Sequence, residues 1–196
     1  MDGRTRWLAL VALVAVAVTS ACLGASLGPD AETADSPPVG TPPACSGNET
    51  TPDVGSAGAL PAGANGFELT ANRSVVARGE PIGFELTNVG DDRRTTGTRH
   101  RYALQRRVGG NWRTVTLFRS DRAGFNATAL LHEPGEGLAW SFRASEGGFS
   151  TGTFVVCEPL PAGAYRFVFE GPPSLAVRFE LVEGDAGTRT PSEHAR

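Results

Sequence analysis

The sequence predicts an all-β domain, a sandwich of two sheets built from about seven or eight short strands. Apolar residues alternate at period two in one stretch after another, and turn residues separate the stretches at short intervals. No stretch of the same region carries an amphipathic helical period. A closed barrel needs a similar number of strands and is the structural alternative.

The elements follow in order. Phe67-Glu-Leu-Thr70 alternates, and Gly79-Glu80-Pro81 turns the chain into Ile82-Gly-Phe-Glu-Leu86, whose Ile82, Phe84 and Leu86 share a face. Tyr102-Ala-Leu-Gln-Arg106 leads through Val108-Gly109-Gly110-Asn111, a hairpin signal, into a strand from Trp112 to Phe118. After Pro134-Gly135-Glu136-Gly137, Leu138, Trp140 and Phe142 alternate. Thr153 to Val156 reads as a further strand. Pro161-Ala162-Gly163 precedes Tyr165, Phe167 and Phe169, and Leu175, Val177, Phe179 and Leu181 close the domain. Leu160 to Tyr165 also fits a tyrosine corner, in which a tyrosine hydroxyl bonds backbone a few residues upstream.

Three of these stretches carry a resemblance. Gly79 to Asn88, Tyr102 to Gln105 with Gly110-Asn111-Trp112, and Pro161 to Arg166 resemble the bacterial immunoglobulin-like domains of secreted and lipid-anchored proteins. The resemblance covers about residues 67–182 and implies an immunoglobulin-like, Greek-key β-sandwich. It carries turns and strands and no catalytic signature, so it speaks to fold and not to activity.

The first residues predict export. Arg4 and Arg6 precede the uncharged stretch Trp7 to Ala21, and Thr19-Ser20-Ala21-Cys22 resembles the lipobox of secreted lipoproteins, with Thr19 in place of the usual larger aliphatic residue. Residues 1–21 are thus read as a lipoprotein-type signal peptide and Cys22 as the site of lipid attachment. Two alternatives stay open, an uncleaved N-terminal anchor from Trp7 through Pro29 and simple secretion. Each puts the domain outside the cytoplasm, and the first reading places it on the outer face of the cell membrane. Residues 22–65, rich in Pro, Gly, Ala and Thr, are expected to be a disordered tether, residues 66–183 the sandwich, and residues 184–196 a disordered tail.

Charge is uneven along the chain. The net charge is −3 and every basic side chain other than histidine is arginine. From Arg93 to Arg122 nine arginines stand against Asp121 alone, whereas the flanking segments are acidic. Arginines on outward strand positions guard edges against aggregation, and the same block is a candidate surface for anions. Strand parity from Tyr102 and Leu104 turns Arg101 and Arg107 outward, Arg113 alternates with Trp112, and these three arginines form the candidate anion-binding face. An acidic envelope glycan or an acidic protein suits such a face. No pattern of basic and stacking aromatic residues points to nucleic acid.

With Cys22 lipidated, Cys45 and Cys157 are left as one disulfide pair, as an oxidising compartment favours. Asn48, Asn72 and Asn126 begin N-glycosylation sequons. Gly148-Phe-Ser-Thr-Gly152 matches the G-x-S-x-G pattern, but Thr153 to Val156 follows as a strand where a nucleophile elbow needs a helix. His100, His132 and His194 stand at no metal-ligand spacing, and no phosphate loop or cofactor motif is present. Asp91-Asp92 beside Asn88 reads as a solvated turn rather than a calcium loop. The expectation is a non-enzymatic surface lipoprotein with a binding or structural role. The alternatives are an accessory domain of a secreted enzyme or transporter, and a hydrolase using Ser150.

Overall fold

The computed structural model describes residues 45–54, 59–119, 124 and 127–184. The leader, Cys22, Asn126 and residues 185–196 lie outside the described residues.

The fold is all-β, and its alternating stretches become two larger sheets. In the first, β1 (Gly63–Ala64), β2 (Phe67–Ala71), β4 (Pro81–Asn88) and β10 (Gly137–Arg143) run in the order β1-β2-β4-β10. In the second, β3 (Val75–Ala77), β13 (Leu175–Val182), β12 (Gly163–Phe169), β6 (Tyr102–Val108) and β7 (Asn111–Thr114) run in the order β3-β13-β12-β6-β7. Two short pairs complete the fold: β8 (Thr116–Phe118) with β11 (Phe154–Val156), and β5 (Arg94–Thr96) with β9 (Leu130–His132). The described strands number thirteen, more than the seven or eight expected: the stretch from Trp112 to Phe118 divides in two, and the short strands β1, β3, β5 and β9 fall where no alternation was read. Val115 still donates its N–H to Leu104, while Thr116 to Phe118 turns away to pair with Phe154 to Val156. A single helical turn, α1 (Glu146–Phe149), is capped by the Ser145 side chain.

The inward faces of the two larger sheets supply one aromatic core. Phe84 of the first sheet stacks on Phe167 of the second with ring centroids 4.3 Å apart, and Trp140 lies 5.0 Å from the same ring. Gly137 lets β10 begin close against β4, since a Cβ there would lie 1.6 Å from the Leu86 carbonyl oxygen. The tyrosine-corner bond is present: the Tyr165 hydroxyl donates to the Pro161 carbonyl over 2.7 Å. Burial pushes that phenol up to about 12, so it stays protonated and able to donate.

Packing reaches further toward the N-terminus than composition suggests. Cys45 and Cys157 form a disulfide, Thr50 exchanges backbone hydrogen bonds with Phe118, and Val54 is 2% exposed. Gly63–Ala64 pairs with β2, and Pro61 accepts a bond from the Ala176 N–H. The cross-link and main-chain bonds hold a segment with no apolar period, so the packed domain includes described residues from Cys45 onward.

His132 is a buried polar group with a pH signature. Its Nε2 lies 2.7 Å from the Thr96 hydroxyl oxygen, and Phe67 meets its ring edge-on. The Thr96 hydroxyl donates to the Gly97 carbonyl, which leaves Nε2 as the donor and Nδ1 unprotonated. Burial lowers the His132 pKa below 6.5, outweighing the opposing charge of Glu136. The unfolded chain therefore binds the proton more readily. This contribution to stability is fully present above about pH 6.5 and is lost as pH falls through the folded pKa. Urea midpoints measured from pH 8 to 5 should fall, and His132→Gln should flatten that slope. An unchanged slope in the variant would remove His132 as its cause. Glu170, whose carboxyl pKa burial raises, acts in the opposite sense, so the difference between the unaltered chain and the variant is the quantity to read.

Candidate binding surface

The β6–β7 hairpin sets the geometry of the arginine-rich block. Gly109 and Gly110 form its two-residue loop at φ 57° and 87°, backbone that glycine adopts without strain. The loop places Val108 opposite Asn111, Arg107 opposite Trp112 and Arg106 opposite Arg113. Directly opposed residues share a face of the sheet. With Tyr102 and Leu104 in the core, Arg107 and Trp112 face outward, and Arg113 takes the other parity.

The three predicted arginines consequently do not make one face. Arg113 forms an ion pair with Glu158, and Arg101 precedes β6 and donates from Nε to the Glu170 carbonyl over 2.6 Å. Only Arg107 stays on the outward face. What joins it there comes from the next hairpin, whose register sets Arg166 opposite both Gln105 and Arg178.

Trp112 is the centre of this arrangement. The Arg166 guanidinium lies 4.6 Å from the centroid of the indole and that of Arg178 lies 5.7 Å away. Arg166 is only 1% exposed, and its Nε donates to Gln105 Oε1 over 2.6 Å. Gln105 in turn donates to the Thr114 hydroxyl over 3.0 Å. This chain of bonds fixes the guanidinium against the indole. Burial, and then the charge of Arg178, lower the Arg166 pKa, yet a guanidinium remains charged at any physiological pH. Arg107 and Arg178 are exposed, and no carboxylate among the described residues forms an ion pair with either. Cations held beside one another without counter-charge repel, and an anion placed between them relieves that repulsion.

Arg166 and Arg178 were not singled out in the sequence, although both interrupt aromatic strands, as Tyr165-Arg166-Phe167 and Val177-Arg178-Phe179. Folding the last hairpin about its turn and aligning the two outward arginines would have found the pair. The outward position of Trp112 follows from the Gly109-Gly110 register, which sets it opposite Arg107.

The other predicted sites fall elsewhere. Asn48 and Asn72 are exposed, and the Asn72 side-chain oxygen accepts the Gly83 N–H over 2.9 Å. The Ser150 hydroxyl donates to the Glu146 carbonyl (2.8 Å) and accepts from the Val156 N–H (3.0 Å), so it fastens α1 to β11 and offers no proton to a base. Asn88 is 1% exposed and donates to the Asp92 and His132 carbonyls, which makes it a turn brace rather than an ion ligand. Cys45, Glu49 and Cys157 lie close enough together for a metal, but both sulfurs are joined to each other.

No protein-family model matches the sequence, and no curated protein matches it. Among solved structures, a β-glucosidase from Erythrobacter marinus is 17% identical with a TM-score of 0.31, over 60% of this chain and 15% of the enzyme. A β-glucosidase from Listeria innocua is 18% identical with a TM-score of 0.32, over 60% of this chain and 16% of the enzyme. The chain thus corresponds to a small part of each enzyme, and likeness at this level carries neither their fold nor their activity to it.

Proposed function

We propose that this chain is a non-enzymatic lipoprotein of the outer face of the cell membrane, tethered at Cys22, whose immunoglobulin-like sandwich binds acidic envelope glycan. The observation that carries the binding reading is the outward Trp112 packed against the Arg166 and Arg178 guanidinium groups, beside an Arg107 that pairs with no carboxylate among the described residues. A sugar ring bearing a carboxylate suits it, with the ring against the indole and the carboxylate between exposed guanidinium groups.

Other features support the fold and compartment. β2 joins the first sheet while β3, a few residues later, lies parallel to β13 in the second, so the leading strand is shared between the sheets. The Tyr165–Pro161 bond belongs to Greek-key sandwiches, and a disulfide fits an oxidising compartment.

Polygalacturonate titrated into the mature chain at low salt should quench tryptophan fluorescence, and the response should weaken as salt rises. Arg178→Glu, an exposed change, should weaken binding about tenfold, equivalent to 1.4 kcal/mol. Equal binding of neutral dextran, or unchanged affinity in Arg178→Glu, would remove the glycan reading. The tether is tested separately by the intact mass of protein from native membranes. A mass beginning at a lipid-bearing Cys22 is expected, and one beginning at Met1 overturns it.

A further inference from the structure

β10 is the outermost strand of the first sheet. Ala144, just beyond it, donates to the Glu80 carbonyl and accepts from the Gly79 N–H, so its main chain faces the β4 side. Alternation then turns Phe142, Trp140 and Leu138 toward β4, and Arg143, Ser141 and Ala139 away from it. Two of the outward carbonyls are engaged: Ala139 accepts from Arg99 Nη2 over 3.2 Å, and Arg143 accepts from the Ser145 N–H over 2.7 Å. The N–H and C=O of Ser141 between them have no hydrogen-bond partner among the described residues, and Ser141 is exposed.

A cleft of about 340 Å³ opens beside this point, between β10 and the segments around His100 and Thr151. Tyr102, Trp140 and Phe142 form its floor. The Tyr102 hydroxyl there is buried and makes no well-formed hydrogen bond, with the Thr151 hydroxyl as its polar neighbour. Arg99 and His100 stand at the rim, both exposed, and no carboxylate among the described residues lines the cleft.

A bare edge beside an apolar cleft is a template for another strand. We propose that the β10 edge at Ser141 and this cleft bind an extended acidic peptide of a partner protein, added antiparallel to β10. The residue opposite Ser141 would exchange both main-chain bonds with it. Its two neighbours would point to the side of Trp140 and Phe142, which is into the cleft. The Arg99 guanidinium at the rim favours acidic residues next to those apolar ones. Arg99 and Ser145, closing the edge on either side of Ser141, limit the added strand to a few residues. This surface lies on the opposite sheet from Trp112 and does not depend on the glycan reading.

The probe is a blocked peptide, Asp-Phe-Thr-Leu-Asp, titrated into the ¹⁵N-labelled mature chain. Amide shifts should move at Ala139, Ser141 and Thr151. The same peptide with lysine for aspartate should bind more weakly. Ser141→Pro removes the outward N–H and leaves the bonds to β4 intact, as proline on an edge strand permits, and should weaken binding about tenfold or more. If that variant does not fold, a probe N-methylated at its threonine, tested on the unaltered chain, supplies the same comparison. No shift at Ser141, shifts centred on Trp112, or equal binding of the N-methylated probe would each overturn the proposal.

Discussion

Glu146→Ala is expected to lower the unfolding free energy by about 3 kcal/mol. Glu146 is 1% exposed, and its Oε1 lies 3.0 Å from Arg78 Nη1 while accepting the Leu160 N–H over 2.7 Å. Arg78 also donates to the Leu160 carbonyl. The knot joins the residue after β3, the start of α1 and the corner that leads to Tyr165. Removing the carboxylate strands a partly buried guanidinium and a buried N–H together. The expected cost sits at the lower end of the range for a broken buried pair, because Arg78 keeps Glu183 at 3.5 Å and some contact with water. Urea unfolding of Glu146→Ala, Arg78→Ala and the double variant separates the terms. A double variant less damaged than the two single costs added together is the expected coupling. A loss below about 0.5 kcal/mol in Glu146→Ala would show that the pair does not hold the domain together.

Breaking the disulfide should cost more. Cys45 and Cys157 are 112 residues apart, and in the chain-entropy model a link of that length stabilises by about 4–5 kcal/mol by restricting the unfolded chain. The doubly substituted Cys45→Ser, Cys157→Ser chain should therefore unfold at a much lower urea concentration, and reductant should shift the unaltered chain toward the same midpoint. The backbone bonds between Thr50 and Phe118 would remain but would close at greater entropic cost. A shift equivalent to less than about 1 kcal/mol would mean that the N-terminal segment and the domain behave as separate units.

These two features also mark the limits of reading the chain alone. Ile82, Phe84 and Leu86, or Tyr165, Phe167 and Phe169, announce their strands because side chains alternate at a fixed local period. The Gly109-Gly110 loop was legible for the same reason, since its chemistry lies within four residues. Glu146 gave no such sign. An isolated acid beside Gly147-Gly148 looks solvated until Arg78, far away in sequence, is folded against it. The candidate surface failed in a similar way. Parity within β6 placed Arg107 correctly, but Arg113, on the neighbouring strand, needed the hairpin register to assign its face.

Local periodicity thus determined by sequence alone that the protein is all-β and where most core strands lie, while the pairing of Cys45 with Cys157 was reached only by setting Cys22 aside. The tertiary structure decided which outward arginines meet, that Gln105 and Arg166 are buried under Trp112, and that a segment without apolar pattern is part of the packed domain. The physical reason is one of range. Alternation and turn chemistry are written in neighbouring residues, whereas register between strands distant in sequence, and the burial of a charge, depend on contacts that exist only once the two sheets have closed.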